Sequence, residues 1–352
     1  MNTLTPLQLA FETTCDDTSV ALMQGCRVIA MDVYSQSAHS KYGGVVPELA
    51  SRDHQRQIIR SLDSVLNQVK INLNAVDLFS VASGPGLLGS LLVGVSFVKS
   101  LSLALEKPLM EINHLQAHVL SPWIQDADLK LIPEFPYLCL LISGGNTQLI
   151  WVNSPIDFTI IGQTMDDALG EAFDKAAKVL GLPYPGGPQL DALAQLGNPN
   201  VYQFSKVRVA PFQFSYSGVK TNFLNFILKH SQNQPDFIKH HLSDICASYQ
   251  NHLIQITLDP LHQALKQFKP KTLVIAGGVS ANSGFRKAAK ELELEYNIPV
   301  IVPPLKYCTD NAAMIGAAAA LQLPFRNQFP LNFTAKPRYP ISENLYENNS
   351  SH

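Results

Sequence analysis

The stretch Leu7-Gln8-Leu9-Ala10-Phe11-Glu12-Thr13-Thr14-Cys15-Asp16-Asp17-Thr18-Ser19-Val20-Ala21-Leu22-Met23 places two short apolar runs on either side of an acidic, hydroxyl-rich turn. Leu7–Phe11 and Ser19–Met23 therefore read as the arms of a β-hairpin. The plan recurs far down the chain: Tyr137–Ile142, the turn Ser143-Gly144-Gly145-Asn146, then Thr147–Val152. A strand, polar turn and strand that occur twice point to a duplicated α/β core with a cleft between two lobes. Outward from the first hairpin, Val28–Tyr34 is a third strand. Leu49, Ile58, Ile59, Leu62, Val65 and Leu66 have helical spacing within Pro47–Leu66. Leu78–Ala82 is a strand, Ser83–Gly89 a glycine-rich turn and Ser90–Leu105 a helix, the order that presents a helix N-terminus to an anion.

The second unit is expected to open near Glu111 with a helix carrying His114 and His118. After its hairpin come a helix from about Ala168 to Leu180 and the segment Pro183-Tyr184-Pro185-Gly186-Gly187-Pro188, read as too turn-rich for regular structure. Helices over Ser217–Lys229 and Pro235–Phe268 follow. Then come a strand at Leu273–Ala276, a helix over Asn282–Leu292, a strand at Pro299–Val302 and a last helix over Asn311–Leu321. This divides the chain into an N-terminal lobe, 1–110, a C-terminal lobe, 111–325, and a polar tail, 326–352, expected to fray.

Of the 352 residues 46% are hydrophobic and 15% charged, below the roughly 25% charged of an average domain. Apolar side chains are too plentiful for bulk disorder. A formal charge of −2 argues against a stand-alone nucleic-acid-binding module, but leaves room for a local basic patch. Arg52, Arg56 and Arg60 recur at i+4, and Lys206, Arg208 and Lys220 form a second candidate; each set reads equally as a solvated face. The five cysteines stand singly, which argues against a disulfide framework or a cysteine zinc knuckle. No run reaches ~18 uninterrupted apolar residues, and the N-terminus lacks the pattern of a signal peptide. The expectation is a cytoplasmic protein without membrane attachment.

His114-Leu115-Gln116-Ala117-His118 puts two imidazoles on one face of a helix, a spacing that suits one divalent metal. Ten histidines also produce such a pair by chance. The glutamate of the zincin signature is missing beside His114. A third ligand must come from elsewhere; Asp310, between a strand and the last helix, is either that ligand or an ordinary N-cap. Ser143-Gly144-Gly145 is either a backbone cradle for an anion or a plain hairpin turn. Gly277-Gly278-Val279-Ser280-Ala281-Asn282 either seats a nucleotide or simply joins strand to helix. Asp174 is a ligand for a hydroxyl or amine, or a solvated helical carboxylate. Phe212–Gly218 mixes rings and hydroxyls suited to base stacking or to packing.

Taken in order, these segments resemble one family. Phe11–Thr18, Tyr42–Arg52, Ser83–Leu87, His114–His118, Ser143–Gly145, Gly170–Lys175, Tyr184–Pro188, Gly277–Asn282 and Cys308–Ala312 are similar to signatures of the bacterial tRNA N6-adenosine threonylcarbamoyltransferases (TsaD, glycoprotease-like), over about residues 7–322. The resemblance implies a two-lobed fold of the actin, hexokinase and Hsp70 ATPase type. It implies transfer of a threonylcarbamoyl group from threonylcarbamoyl-AMP to N6 of the adenosine 3′ of the anticodon, in tRNAs reading codons that start with A. The implied metal ligands are His114, His118 and Asp310, holding one Fe2+ or Zn2+. The implied substrate contacts are Leu141, Ile142, Ser143, Gly144, Gly145, Asp174, Gly187 and Asn282, with Asp191 a further contact in some relatives. The implied partners are tRNA, a non-catalytic paralogue of the same fold (TsaB-like) and a small P-loop ATPase (TsaE-like). Three positions depart from the family pattern: Asn146 stands where His is usual, Asp17 where Glu is commoner, and Gln213 where Asp is frequent. None removes an implied ligand. Three rivals use parts of the same pattern: a metallopeptidase, a sugar-kinase or chaperone ATPase, and a non-catalytic scaffold, which is expected to lack the histidine pair.

Overall fold

The computed structural model describes residues 5–126, 131–206 and 208–343. These fall into two compact units: one from the described residues of Met1–Ile132, Asn153–Phe158 and Pro303–His352, the other from Pro133–Val152 and Thr159–Val302.

The first unit opens with β1 (Leu7–Glu12), β2 (Asp17–Gln24) and β3 (Arg27–Ser35). The two antiparallel arms pair from Leu7 opposite Gln24 to Glu12 opposite Ser19, so the acidic segment closes the hairpin as expected. Next come α1 (Pro47–Val69), β4 (Leu78–Gly84), α2 (Leu88–Leu105), β5 (Leu109–Asn113) and α3 (His114–Leu120). The second unit holds β6 (Tyr137–Ile142), most of β7 (Thr147–Ser154) and β8 (Asp157–Gln163), whose adjoining ends 153–158 count with the first unit, then α4 (Leu169–Val179), α5 (Gly186–Ala194), α6 (Ser217–Asn233), α7 (Phe237–Phe268), β9 (Leu273–Ala276), α8 (Ser283–Tyr296) and β10 (Val300–Ile301). The chain then returns to the first unit with α9 (Leu305–Cys308) and α10 (Ala312–Gln322).

The first sheet runs β3-β2-β1-β4-β5 and the second β8-β7-β6-β9-β10. In each, the strand that comes first in the chain pairs antiparallel with its hairpin partner and parallel with a later strand. The same strand order built twice is the duplicated core expected of the actin, hexokinase and Hsp70 type. The central parallel strand β4 is buried along its whole length, as strands covered on both faces must be.

Several expectations are corrected. Glu111 does not open a lobe: it lies inside β5, paired with Val81 of β4. The 110/111 boundary thus falls within the first unit, and the described residues from Pro303 to Glu343 belong there too. The reason is α10, whose Ala-rich sequence is buried almost end to end. A Cβ on Gly316 would stand 2.3 Å from the Met23 sulfur and 3.2 Å from Ala10 Cβ, so only glycine lets the helix lie this close to the sheet. Gly186–Pro188 is not irregular but begins α5. The tail does not fray up to Glu343, since Tyr339 and Ile341 are buried; positions 344–352 lie outside the described residues.

Pro47 takes the first turn of α1, and Ala50, His54, Ile58, Leu62 and Val65 are its buried face. His54 is fully buried: the Thr18 hydroxyl lies 2.8 Å from its Nδ1, and its Nε2 lies 3.0 Å from the Cys15 carbonyl. The carbonyl only accepts, so Nε2 carries the proton and Nδ1 accepts. Burial holds the imidazole below its ordinary pKa. The unfolded chain therefore binds this proton at higher pH than the folded one, so stability falls as pH drops through about 6.5. The midpoint of urea unfolding is expected to fall from pH 7 to pH 5, with a shallower fall in His54→Gln.

By length and composition alone α2 is long and apolar enough to cross a membrane, a test that core helices also pass. Its Leu91, Val95 and Val98 are buried, the two valines in the core of the first unit. Leu88, Leu92 and Leu103 are exposed.

Candidate functional site

The short helix α3 is N-capped by Asn113, whose Oδ1 accepts from the Leu115 and Gln116 amides. This sets His114 and His118 one turn apart, their rings at 84° with centroids 4.6 Å apart. Asp310 Oδ1 stands 3.1 Å from His118 Nε2 and 3.5 Å from His114 Nε2. Neighbouring Asn311 caps α10 through its side chain, accepting from Met314 N. Asp310 is therefore not needed as a cap, and its carboxylate meets the two imidazoles across about 190 positions of sequence. The expected trio is brought together.

The three donor atoms lie within 4.8 Å of one another. Ligands about 2.1 Å from a tetrahedral ion stand roughly 3.4 Å apart, so the trio fits one divalent cation, with a coordination position left for a reactant. The donor set, two imidazoles and one carboxylate, suits iron or zinc. Burial lowers the proton affinity of His114, but the carboxylates of Glu12 and Asp310 outweigh it and raise the pKa to about 9. Burial dominates at His118 and lowers it. Asp310 is held below the usual carboxylate range: burial opposes this, but the His114 charge and the His118 hydrogen bond prevail.

Glu12 is a residue the sequence reading did not assign to the site. It ends β1, which β4 separates from β5, the strand that leads into α3, and is fully buried. Its Oε2 is 2.9 Å from His114 Nδ1, and its Oε1 accepts from the Thr14 amide at 2.5 Å. Thr14 Oγ1 is 3.3 Å from the same Nδ1. A carboxylate on the far imidazole nitrogen fixes the tautomer and turns the other nitrogen to the metal. A charged residue at the end of an otherwise apolar strand was the available signal. Glu12→Gln is expected to weaken metal affinity ten- to a hundredfold, read by competition against a chelator.

The other expected residues are in the second unit. Ser143 N donates to Asn146 O at 2.8 Å and Asn146 N donates to Ser143 Oγ at 3.1 Å, closing the turn and leaving Gly144 and Gly145 exposed. The departure to Asn146 leaves this turn intact. Leu141 and Ile142 are fully buried in β6, so only their main chain is available to a ligand. Gly170 N donates to Ser143 O at 3.2 Å, and Leu169 N donates to Thr147 Oγ1 at 2.9 Å, bracing the turn on the start of α4. Asp174 Oδ1 accepts from the Gly186 and Gly187 amides at 3.0 and 3.1 Å, capping α5. Asn282 Oδ1 accepts from Gly284 N and Phe285 N at the start of α8. Asp191 accepts from Ser283 N and Oγ. Gln250, absent from the sequence reading, joins the two: its Nε2 donates to Asp191 Oδ1 at 2.9 Å and its Oε1 accepts from Asn282 Nδ2 at 2.8 Å. These three polar side chains hold one another and the start of α8.

The basic candidates divide. Arg52, Arg56 and Arg60 are exposed on α1, Arg52 paired with Glu48 at 2.6 Å. Lys206 and Lys220 do not form a free patch with Arg208: they pair with Asp259 at 2.7 Å and Asp167 at 3.0 Å.

Residues 27–317 match the family model described as TsaD: tRNA N6-adenosine threonylcarbamoyltransferase. A protein of that name from Christiangramia forsetii is 46% identical over 94% of this chain and 97% of its own length. One from Riemerella anatipestifer is 44% identical over 95% and 98%. Among solved structures, full-length HypF in its phosphate- and nucleotide-bound form superposes with a TM-score of 0.56 at 12% identity, over 92% of this chain and 47% of that one; it supports the fold alone. The chain therefore belongs to the tRNA N6-adenosine threonylcarbamoyltransferase family and is an enzyme of the transferase class.

Proposed function

We propose that this acyltransferase takes threonylcarbamoyl-AMP as donor and modifies N6 of the adenosine 3′ of the anticodon, in tRNAs reading codons that start with A. In the reaction the N6–C bond forms, the bond from the carbamoyl carbon to the phosphate oxygen breaks, AMP leaves and N6 loses a proton. The exocyclic amine is a weak nucleophile, which is why the acyl group must arrive on a phosphate leaving group. The observation that carries the reading is the convergence of His114 Nε2, His118 Nε2 and Asp310 Oδ1 in a chain of this family.

His114, His118 and Asp310 would hold one Fe2+ or Zn2+. Such an ion, when bound, supplies a Lewis acid that orients and polarises the threonylcarbamoyl end. Glu12 keeps the His114 imidazole turned toward it. The exposed Ser143–Gly145 turn receives the phosphate on backbone amides, with Leu141 and Ile142 contributing main chain only. Gly277–Asn282 seats the adenosine, the Asn282 side chain steadied by Gln250 and Asp191. Asp174, through its hold on Gly187, fixes the start of α5. No side chain is assigned as general base; positioning and electrostatics do the work. Mass spectrometry of tRNA nucleosides after incubation with threonine, bicarbonate, ATP, the purified chain and its partner proteins tests this. The threonylcarbamoyl nucleoside is expected only with all components, and its absence there overturns the reading.

The partners we propose, besides tRNA, are the non-catalytic paralogue and the small P-loop ATPase, acting in the cytoplasm. The docking face we favour is the α1–α2 surface. There a groove of about 500 Å3 is lined by Ile58, Ile59, Leu92, Val93 and Phe97 together with Ser51, Gln55, Gly89 and Ser96, and Ile59, Leu88 and Leu92 are exposed. Leu92→Asp is expected to cost tenfold or more in binding to the paralogue by calorimetry while leaving metal content unchanged.

A further inference from the structure

We propose that the segment Lys336–Glu343 is a strap that positions the metal-binding helix α3. The inference rests on the metal reading of His114, His118 and Asp310. Helix α3 has seven residues, well short of the ~12–15 at which a helix begins to persist on its own. The angle between its two imidazoles therefore depends on what grips the helix from outside. Asn113 caps it through Oδ1, and the Nδ2 of the same side chain donates to the carbonyls of Tyr339 and Pro340 at 3.3 and 3.1 Å. One turn on, between the two histidines, Gln116 Nε2 donates to the carbonyls of Ile341 and Glu343 at 2.8 and 3.4 Å. Gln116 Oε1 in turn accepts from Gln322 Nε2 at 2.9 Å, tying α3 to α10. Two side chains of α3 and its cap thus engage four carbonyls of one segment.

The strap is itself anchored. Lys336 N donates to Ser83 O at 2.7 Å, and Gly86 N donates to Pro337 O at 3.3 Å, beside the end of β4. Phe333, Tyr339 and Ile341 are buried. The Lys336 ammonium sits 4.1 Å from the Tyr339 ring centroid and 3.2 Å from Glu343 Oε1. A Cβ on Gly84 would fall 1.9 Å from the Lys336 carbonyl oxygen, so the strap's path requires glycine at the end of β4. Outer contacts that orient metal ligands are worth ten- to a hundredfold in metal affinity. The strap acts one step further out: its backbone carbonyls hold Asn113 and Gln116, and so the helix that carries the imidazoles, rather than the imidazoles themselves.

The test is titration of metal-free protein with Co2+, reading affinity and the visible d–d absorption of the bound ion, which reports coordination geometry. Five full-length or shortened proteins are compared: wild type, His118→Ala, a chain ending at Glu343, a chain ending at Ala335, and full-length Gln116→Met. The chain ending at Glu343 is expected to match wild type. The chain ending at Ala335 and Gln116→Met are expected to bind ten- to a hundredfold more weakly with an altered absorption band. Should the shortened chain fail to fold, Gln116→Met, which keeps the whole sequence, decides. Wild-type affinity and spectrum in Gln116→Met, or in a folded chain ending at Ala335, overturn the proposal. Wild-type binding by His118→Ala instead overturns the metal reading on which it stands.

Discussion

Alanine at His114 or at His118 is expected to abolish bound metal and tRNA modification together. Each imidazole supplies one of three donor atoms within 4.8 Å, and both are almost wholly buried, so water does not simply replace the lost ring in an oriented way. Losing the ion forfeits several kcal/mol of transition-state stabilisation, a thousandfold or more in rate. The two substitutions should be about equally severe, because the remaining pair cannot enclose a cation. Metal content of the purified variants and mass spectrometry of the tRNA nucleosides check this on one preparation. Full modification by a metal-free His114→Ala protein would sink the mechanism.

Gly170→Val is expected to lower modification while leaving the metal in place. Gly170 is the second residue of α4. A Cβ there would lie 2.7 Å from both Gly144 Cα and the Ser143 carbonyl oxygen. The added side chain must push the double-glycine turn away from the start of α4 and break the Gly170 N to Ser143 O hydrogen bond. Overpacking of this kind costs ~1–3 kcal/mol. If the turn receives the donor's phosphate, the cost appears as a ten- to hundredfold fall in kcat/KM for the donor. Gly170 and the metal ligands belong to different compact units, so metal content should match wild type. Steady-state rates at varied donor concentration, beside metal analysis, separate this variant from the histidine variants. An unchanged kcat/KM would remove the turn from the donor site.

Much of this was legible before any tertiary information. The two hairpins follow from apolar runs flanking polar turns, and their registers agree with it. The histidine pair was legible because four residues on a helix is a local distance. What misled were segments whose local chemistry pointed one way while packing decided another. Gly186–Pro188 has turn composition, yet it starts a helix because Asp174 accepts the first two amides. Leu109–Asn113 was hidden because a fully buried five-residue strand has no alternation to reveal it. The tail looked polar enough to fray, yet its backbone is bonded to α3 and β4.

By itself the sequence determined the repeated strand–turn–strand plan, the spacing of His114 and His118, and, through its ordered signatures, the family. All of these are short-range properties, set by side-chain periodicity within a few residues. Asp310, which local pattern left open as ligand or cap and the family resemblance named as ligand, is brought to the histidines by the tertiary structure, and only that structure decided that Glu12 orients one of them and that residues 336–343 grip their helix. Those contacts join positions roughly 100 to 230 apart. Asp310 and residues 336–343 reach the histidine helix because burial of α10 on the first sheet brings the described C-terminal segment back to the beginning of the chain, and Glu12 reaches it because β1 and β5 belong to that same sheet; both are decided by the packing of whole elements rather than by local pattern.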